Sequence, residues 1–342
     1  MSIAIDFSTS DIRIGIYYDG NTILIPKNEY DEFTVFDIQN IDSILQKIKN
    51  IVESCYNLTV KNAVIAIPNN FGNIDRQLIV NAGKKLNIDI RLINNTSAAA
   101  IGYNHNKKIS KKNTIIIDTT KENNNLNMSI IVIEDDIYEV VSMGKEENID
   151  LILSKLSESS ELYMRISKND INQIIFICND TTLIPKNYDF INEYFKDVIS
   201  NKTCEILVQS TDLVIYGAIM VSEPNDIILL DITSYSLGIG IMNNKMENII
   251  NRFTIFPTSV KDYFTYKFPD GNFAVELRVY EGESKDIYNN KLIGKYIPEH
   301  FTPFGSIWYF DMFFNVDRNG ILDVKIIHDK NKFESKNEYN SY

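Results

Sequence analysis

The sequence predicts two joined folds: a duplicated α/β domain over residues 1–225 and an all-β sandwich over residues 232–330. Three observations carry this. Three strands followed by alternating helices and strands occur twice, in halves of about 1–112 and 113–225. The first strand of each half ends in an aspartate, Asp6 and Asp118, at the carboxyl end where open α/β sheets place their ligands. After residue 225 the helical period stops, and the turn signals "MNNK", "PDGN", "YNNK" and "DRNG" separate short strands.

In the first half, "SIAIDFS" and "DIRIGIYYDGNTILI" read as strands around an Asp-Gly turn. "NIDSILQKIKNIVESCY" places Ile41, Ile44, Leu45, Ile48, Val52 and Cys55 on one helical face. "KNAVIAIP" is a buried strand closed by Pro68, "NIDRQLIVNAGKKLN" a helix, and "DIRLIN" a strand. "TSAAAIGYN" starts a small-residue helix that Thr96 or Ser97 can cap. The second half repeats the plan with "NTIIID", "NMSIIVIED" and "IYEVVSM" as strands. "NIDLILSKLSESSELYMR" is helical, "NQIIFICND" a strand, "IPKNYDFINEYF" a helix, "TCEILVQ" a strand, and "STDLVIYGAIMVS" a helix capped by Ser210 or Thr211. An apolar extended segment, "IILLD", bridges the two folds, and the linker is expected over 226–231. The polar residues 331–342 are expected to be disordered.

Composition narrows the function. Hydrophobic residues at 44% and charged residues at 23% describe an ordinary globular chain. A net charge of −12 argues against nucleic acid or an anionic membrane as partner. No apolar run approaches the roughly 20 residues that cross a bilayer. The chain starts directly on a strand pattern, so no secretion signal is expected and the cytoplasm is the expected location. Cys55, Cys178 and Cys204 are far apart and odd in number, which predicts buried thiols rather than disulfides or a metal site.

The stretches "IAIDFSTSDIRIGIY", "AVIAIPNNFGNIDRQLIVNAGKKLNIDIRLINNTSAAAIGY", "NDIILLDITSYSLGIGIMNNKM", "VYEGES", "NNKLIGKY" and "FFNVDRNGILDV" resemble, in the same order, segments of the seventy-kilodalton heat-shock chaperones, the DnaK-type family. The family motifs read I-D-L-G-T-T, V-P-A-Y-F-N-x-x-Q-R-Q and I-N-E-P-T-A-A-A. The resemblance implies a ribonuclease-H-like, actin-like ATPase domain, duplicated, followed by a β-sandwich peptide-binding domain.

The departures from the family bear on activity. The outer subdomains, one with a catalytic lysine, find no match in this sequence, and no helical lid beyond the sandwich is expected. Ser8 replaces the first glycine of the phosphate turn, although Asp6, Thr9 and Ser10 fit. Asn95 replaces the glutamate of I-N-E-P-T. After Asp118, three glycines give way to a turn containing Glu122 and three asparagines, and a later aspartate is Asn127. The adenosine-side G-G-S turn is "NDT" at 179–181, though Asp212 matches. Phosphate cradles need backbone N–H groups unobstructed by side chains, and asparagine supplies the left-handed conformation but not the space. The resemblance therefore implies a vestigial nucleotide site of Asp6, Thr9, Ser10, Asp118 and Asp212. It also implies weak ATP or ADP binding with magnesium, no required cofactor, no confident catalytic residue and no metal site of the chain's own.

Two further sets of residues follow from the same resemblance. Pro68, Arg76, Arg91 and Asp231 match positions for interdomain relay and J-domain cochaperone docking. Ile239, Ile241, Met242, Phe264, Val275 and Leu277 match the lining of the peptide groove. The expected partners are unfolded or extended polypeptides and J-domain cochaperones. The expected function is a chaperone or co-chaperone without an efficient ATPase cycle. The alternatives are a slowly ATP-hydrolysing chaperone and a regulatory partner that competes for J-domain proteins or a complete chaperone.

Overall fold

A computed structural model describes residues 2–7, 12–18, 21–26, 37–105, 107, 111–119, 126–146, 166–178, 185–201, 204–223, 226–267, 276–296 and 307–328. The chain divides into two compact units, one of residues 1–71 and 75–232 and the other of 72–74 and 233–342. The first combines helices with mixed sheets, and the described elements of the second are antiparallel strands with short 3₁₀ turns.

The first unit starts with β1 (Ser2–Asp6), β2 (Arg13–Tyr18) and β3 (Asn21–Leu24). They are followed by α1 (Ile41–Tyr56), β4 (Asn62–Ile67), α2 (Asn73–Lys85), β5 (Asp89–Asn94) and α3 (Asn95–Asn104). The five strands form one sheet in the order β3-β2-β1-β4-β5. β1 is antiparallel to β2 and parallel to β4. Alternation explains the pairing: Ile3, Ile5, Ile14, Ile16 and Ile65 are buried with the helical stripe of Ile41, Ile44, Leu45, Ile48 and Val52. Burial of each such side chain contributes about 1.5–3 kcal/mol. α1 stops at Asn57, whose φ of 50° places it in the left-handed region that asparagine tolerates.

The second sheet of this unit comes from β6 (Lys112–Asp118), β7 (Leu126–Glu134), β8 (Ile137–Glu146), β9 (Gln173–Cys178) and β10 (Glu205–Ser210). Helices α4 (Pro185–Tyr194) and α5 (Lys196–Ser200) lie between the last two strands, and α6 (Asp212–Ser222) follows. β11 (Ile228–Ile232) then joins the sheet, giving the order β10-β9-β6-β7-β8-β11. The first five strands thus repeat the order of the first sheet. The segment read as a linker is itself a strand, with Ile228, Leu229 and Leu230 parallel to Ile137, Tyr138 and Glu139.

α6 leaves the second sheet and packs on α3 and on β1, β2 and β4 of the first. Its approach to α3 requires glycine on both sides. A Cβ on Gly217 would lie 1.8 Å from the Ala98 carbonyl oxygen, and one on Gly102 would lie 2.2 Å from that of Leu213.

The second unit contains β12 (Leu237–Ile241), β13 (Lys245–Ile250), β14 (Ile255–Phe256), β15 (Thr258–Lys267), β16 (Leu277–Glu281), β17 (Lys291–Tyr296), β18 (Ile307–Val316) and β19 (Leu322–His328). One antiparallel sheet runs β13-β12-β16-β17 and another β15-β18-β19. They share a core in which Leu237, Ile239, Leu277 and Val279 of the first sheet meet Met312, Phe314, Val316, Leu322 and Val324 of the second.

Two sequence expectations are corrected, and of the two cap candidates for α6 one is found in place. Cys178 and Cys204 are buried, but Cys55 is exposed, although it continues the apolar stripe of α1, because it lies in the last turn of the helix. Burial, with Glu205 beside it, pushes the Cys204 thiol up to about 11, so it is not a thiolate at neutral pH. The cap of α3 is Asn94, and Thr96 and Ser97 fall inside the first turn, where the Thr96 hydroxyl bonds across to other elements. At α6 the N-cap is Thr211 without a side-chain cap bond, while Ser210 Oγ accepts from Asp212 N at 3.1 Å. The expected helix from "NIDLILSKLSESSELYMR" and the tail 331–342 lie outside the described residues.

Gly217→Ala is expected to destabilise the first unit, because the new methyl group meets backbone carbonyl rather than a side chain that can turn away. Overpacking of this kind costs about 1–3 kcal/mol, or a fall in Tm of about 2–10 °C for a unit of this size, readable by circular dichroism.

Candidate functional site

The two strand-end aspartates are both buried, and each faces a donor from the chain itself. Asp6 and Arg13 are cross-strand partners on β1 and β2, so their side chains share one face of the sheet. Arg13 Nη1 stands 3.9 Å from Asp6 Oδ2 and 3.6 Å from Asp212 Oδ1. One guanidinium therefore serves two of the carboxylates matched to the nucleotide site. Asp118 and Asn127 are partners in the same way on β6 and β7, both buried. Asn95 Nδ2 donates a short hydrogen bond to Asp118 Oδ2. Asn95 Oδ1, Asn127 Oδ1 and Ser97 Oγ are buried with no hydrogen-bond partner among the described residues, which leaves a polar floor suited to water. Ser8, Thr9, Ser10, the turn at 120–125 and the "NDT" at 179–181 lie outside the described residues.

The junction of β5 and α3 carries three consecutive side chains that each reach a different strand of the second sheet. Asn94 Nδ2 donates to Asp231 Oδ1 on β11 at 2.8 Å. Asn95 reaches Asp118 on β6. Thr96 Oγ1 lies 2.7 Å from Ser129 Oγ on β7 and donates to Asn69 Oδ1 at 3.0 Å. Asn69 Nδ2 donates in turn to Ser129 Oγ at 3.0 Å. A sharp strand-to-helix turn makes this possible, because successive side chains there diverge instead of alternating across a sheet.

The residues matched to interdomain relay fall around the same junction. Pro68 is buried at the end of β4, and its carbonyl accepts from Phe71 N at 3.0 Å. Arg76 is buried on α2 and donates through Nε to Phe71 O at 3.0 Å and through Nη2 to Asn94 Oδ1 at 2.8 Å. Arg76, Asn94 and Asp231 thus form one continuous buried network. Asp231 Oδ1 also accepts from Ile232 N at 2.9 Å. Arg91 is half-buried on β5, opposite Val64. Burial pushes the Asp231 carboxyl above its usual 3.8, offset in part by the Arg76 guanidinium and by hydrogen bonds from Ile232 and Asn94.

In the second unit, Ile239 and Leu277 belong to the shared core. Ile241 is 42% exposed and Met242, in the short 3₁₀ turn after β12, is 85% exposed. The side chain of Phe264, and Val275 altogether, lie outside the described residues. Among the described residues no cluster of three His, Cys, Asp or Glu side chains could hold a metal ion.

Sequence reasoning singled out Asp6, Asp118, Asp212, Asn95, Arg76 and Asp231, but it missed Arg13, Asn69, Asn94 and Ser129. Arg13 was detectable, since a hairpin from β1 into β2 makes it the cross-strand neighbour of Asp6. The others carried no local signal, because their partners are distant in the chain.

A family model described as "Hsp70 protein" matches residues 10–150 and 159–341. The chain belongs to the Hsp70 family. A "Heat shock 70 kDa protein" of Neurospora crassa is 24% identical over 395 aligned positions, covering 88% of this chain and 60% of that protein. One from Ajellomyces capsulatus is 23% identical, with 88% and 55% covered. "Heat shock protein hsp-6" of Caenorhabditis elegans is 23% identical, with 82% and 55% covered. This Hsp70-family chain thus spans little more than half the length of the curated relatives it matches.

The buried Asp231 yields a test with a definite sign. A carboxyl whose pKa rises on folding adds stability that is full below the unfolded value and is lost as pH rises through the folded value. Asp231→Asn keeps an acceptor for Ile232 and Asn94 and removes the buried charge. At pH 7 its Tm is expected at or above that of the wild type, with the difference shrinking as pH falls towards 4. A variant Tm well below wild type at pH 7 would show that the ionised carboxylate is the stabilising form.

Proposed function

We propose that this Hsp70-family chain is a chaperone or co-chaperone that binds extended apolar polypeptide segments without an efficient ATPase cycle. In this reading the first unit is a duplicated ribonuclease-H-like domain and the second a β-sandwich that carries the peptide groove. The observation that carries it is an internal group facing each strand-end aspartate: the Arg13 guanidinium at ion-pair distance from Asp6, and Asn95 hydrogen-bonded to Asp118.

Such a set does not fit magnesium-bound nucleotide. A cation at Asp118 would displace the hydrogen bond from Asn95, and a cation at Asp6 would face a guanidinium. Phosphoryl transfer depends on metal and positive groups placed on the developing charge of the phosphate. Arg13 is instead positioned on carboxylates of the protein.

The groove reading is supported by β12. Its core-facing residues Leu237, Ile239 and Ile241 pass from buried to 42% exposed, and Met242 continues the apolar run at 85% exposure. β12 is paired on both sides, so an extended segment would meet the apolar side chains at its exposed end, Ile241 and Met242. The competing regulatory reading draws on Asp231 as a cochaperone contact. At 4% exposure Asp231 can reach a partner only if β11 leaves the sheet.

Two measurements test the proposal. Titration calorimetry is expected to find Mg-ATP bound at least a hundredfold more weakly than by a complete family member, about 2.7 kcal/mol. A micromolar or tighter dissociation constant, or an ATPase activity abolished by Asp118→Ala, contradicts it. In fluorescence anisotropy, a labelled Leu- and Ile-rich heptapeptide is expected to bind moderately and exchange rapidly, with no response to ATP. Val275→Phe and Ile241→Asp should each weaken it by about tenfold, or 1.4 kcal/mol, while Asp118→Ala leaves it unchanged. Release accelerated by ATP would favour the gated chaperone, and no binding at all would favour the regulatory partner.

A further inference from the structure

The hydroxyl of Thr96, the amide of Asn69 and the hydroxyl of Ser129 close a three-membered hydrogen-bonded ring. Thr96 donates to Asn69, Asn69 donates to Ser129, and the Ser129 hydroxyl completes the circuit to Thr96. Every member donates once and accepts once, and all three are buried. Such circuits polarise one another in a low-dielectric interior. The members come from separate places: the loop after β4, the first turn of α3, and β7 of the second sheet. Read along the motifs quoted above, Asn69 stands at the alanine of V-P-A-Y-F-N and Thr96 at the proline of I-N-E-P-T, neither of which has a side chain able to make these bonds.

The ring connects to strand β11 through the pairing of β7 with β8 and one sulfur contact. Ser129 is the cross-strand partner of Met143 on β8, and Met143 Sδ lies 3.8 Å from Asn94 Nδ2. Asn94 holds Asp231, and β8 carries β11. We propose that the Asn69–Thr96–Ser129 ring is a built-in latch that holds the two sheets of the α/β unit together and keeps β11 docked without a bound ligand. The proposal rests on the reading of this unit as one that works without a nucleotide cycle. Its test is made on the ligand-free protein, so latch and nucleotide reading can fail separately.

The experiment is hydrogen–deuterium exchange of the full chain, followed at residues 228–232. Thr96→Val is nearly isosteric and removes the hydroxyl, and Asn69→Ala opens the ring from the other side. Each is expected to speed exchange of β11 by about tenfold or more. The double variant should add little to either single one, since the ring is broken once. Thr96→Ser restores the hydroxyl and should behave as the wild type, and Mg-ATP should leave wild-type exchange unchanged. If Thr96→Val unfolds the unit, Asn69→Ala alone decides. Wild-type exchange at β11 in folded Asn69→Ala or Thr96→Val overturns the latch. So does β11 exchange in the wild type that becomes slow only when Mg-ATP is added.

Discussion

Three neighbouring side chains at one strand-to-helix turn join the two sheets of the α/β unit. Asn94, Asn95 and Thr96 reach β11, β6 and β7 from a single turn. Each bond is modest in net terms, about 0.5–1.5 kcal/mol, but loss of one partner leaves a buried polar group unpaired at a cost of about 1–3 kcal/mol. That asymmetry fixes geometry more than it adds stability. The sheets cannot slide past each other without orphaning several groups at once, whereas apolar contact alone would tolerate small shifts. Close packing of α3 on α6 at Gly102 and Gly217 sets the other constraint on the same helix.

Electrostatics follow from this arrangement. A strand-end aspartate in an open α/β sheet is suited to a ligand's cation, and once buried it needs a compensating partner. Here β2 provides Arg13 for Asp6, and α3 provides Asn95 for Asp118. An internal donor is always present at high effective concentration, so an external cation or phosphate must displace it as well as bind. The carboxylates that resemble a nucleotide site are thereby part of the protein's own cohesion.

The elements with a strong local period were legible in the sequence. The stripe from Ile41 to Val52, the alternation in β1 and β2, and the turn-punctuated strands after residue 233 follow from spacing alone. The segment 227–231 was legible as apolar and extended, but its place as a strand of the first unit was not, because parallel pairing to β8 is a long-range choice without a turn to announce it. The same reason hid the ring. Asn69, Thr96 and Ser129 are unremarkable polar residues until the fold brings them within hydrogen-bonding distance, 27 to 60 residues apart in sequence. Of the site, the acidic residues were legible because strand ends are predictable, while their partners depended on cross-strand register and tertiary contact.

A ligand shifts a conformational equilibrium only by the difference between its affinities for the two states. In an α/β unit whose sheets are joined by a ligand, binding and release of that ligand set the position of everything attached, including a strand such as β11. On the proposed reading the same joint is made by residues 94–96 and Asn69, and the difference is written into the sequence. An equilibrium of that kind answers to what acts on the joint itself. Asp231 is the titratable member of the network around β11, and protonation there removes a buried charge that burial disfavours. On the proposed reading, the lever that nucleotide supplies elsewhere has been replaced by a fixed bias, and any gating of β11 must act by opening the polar junction.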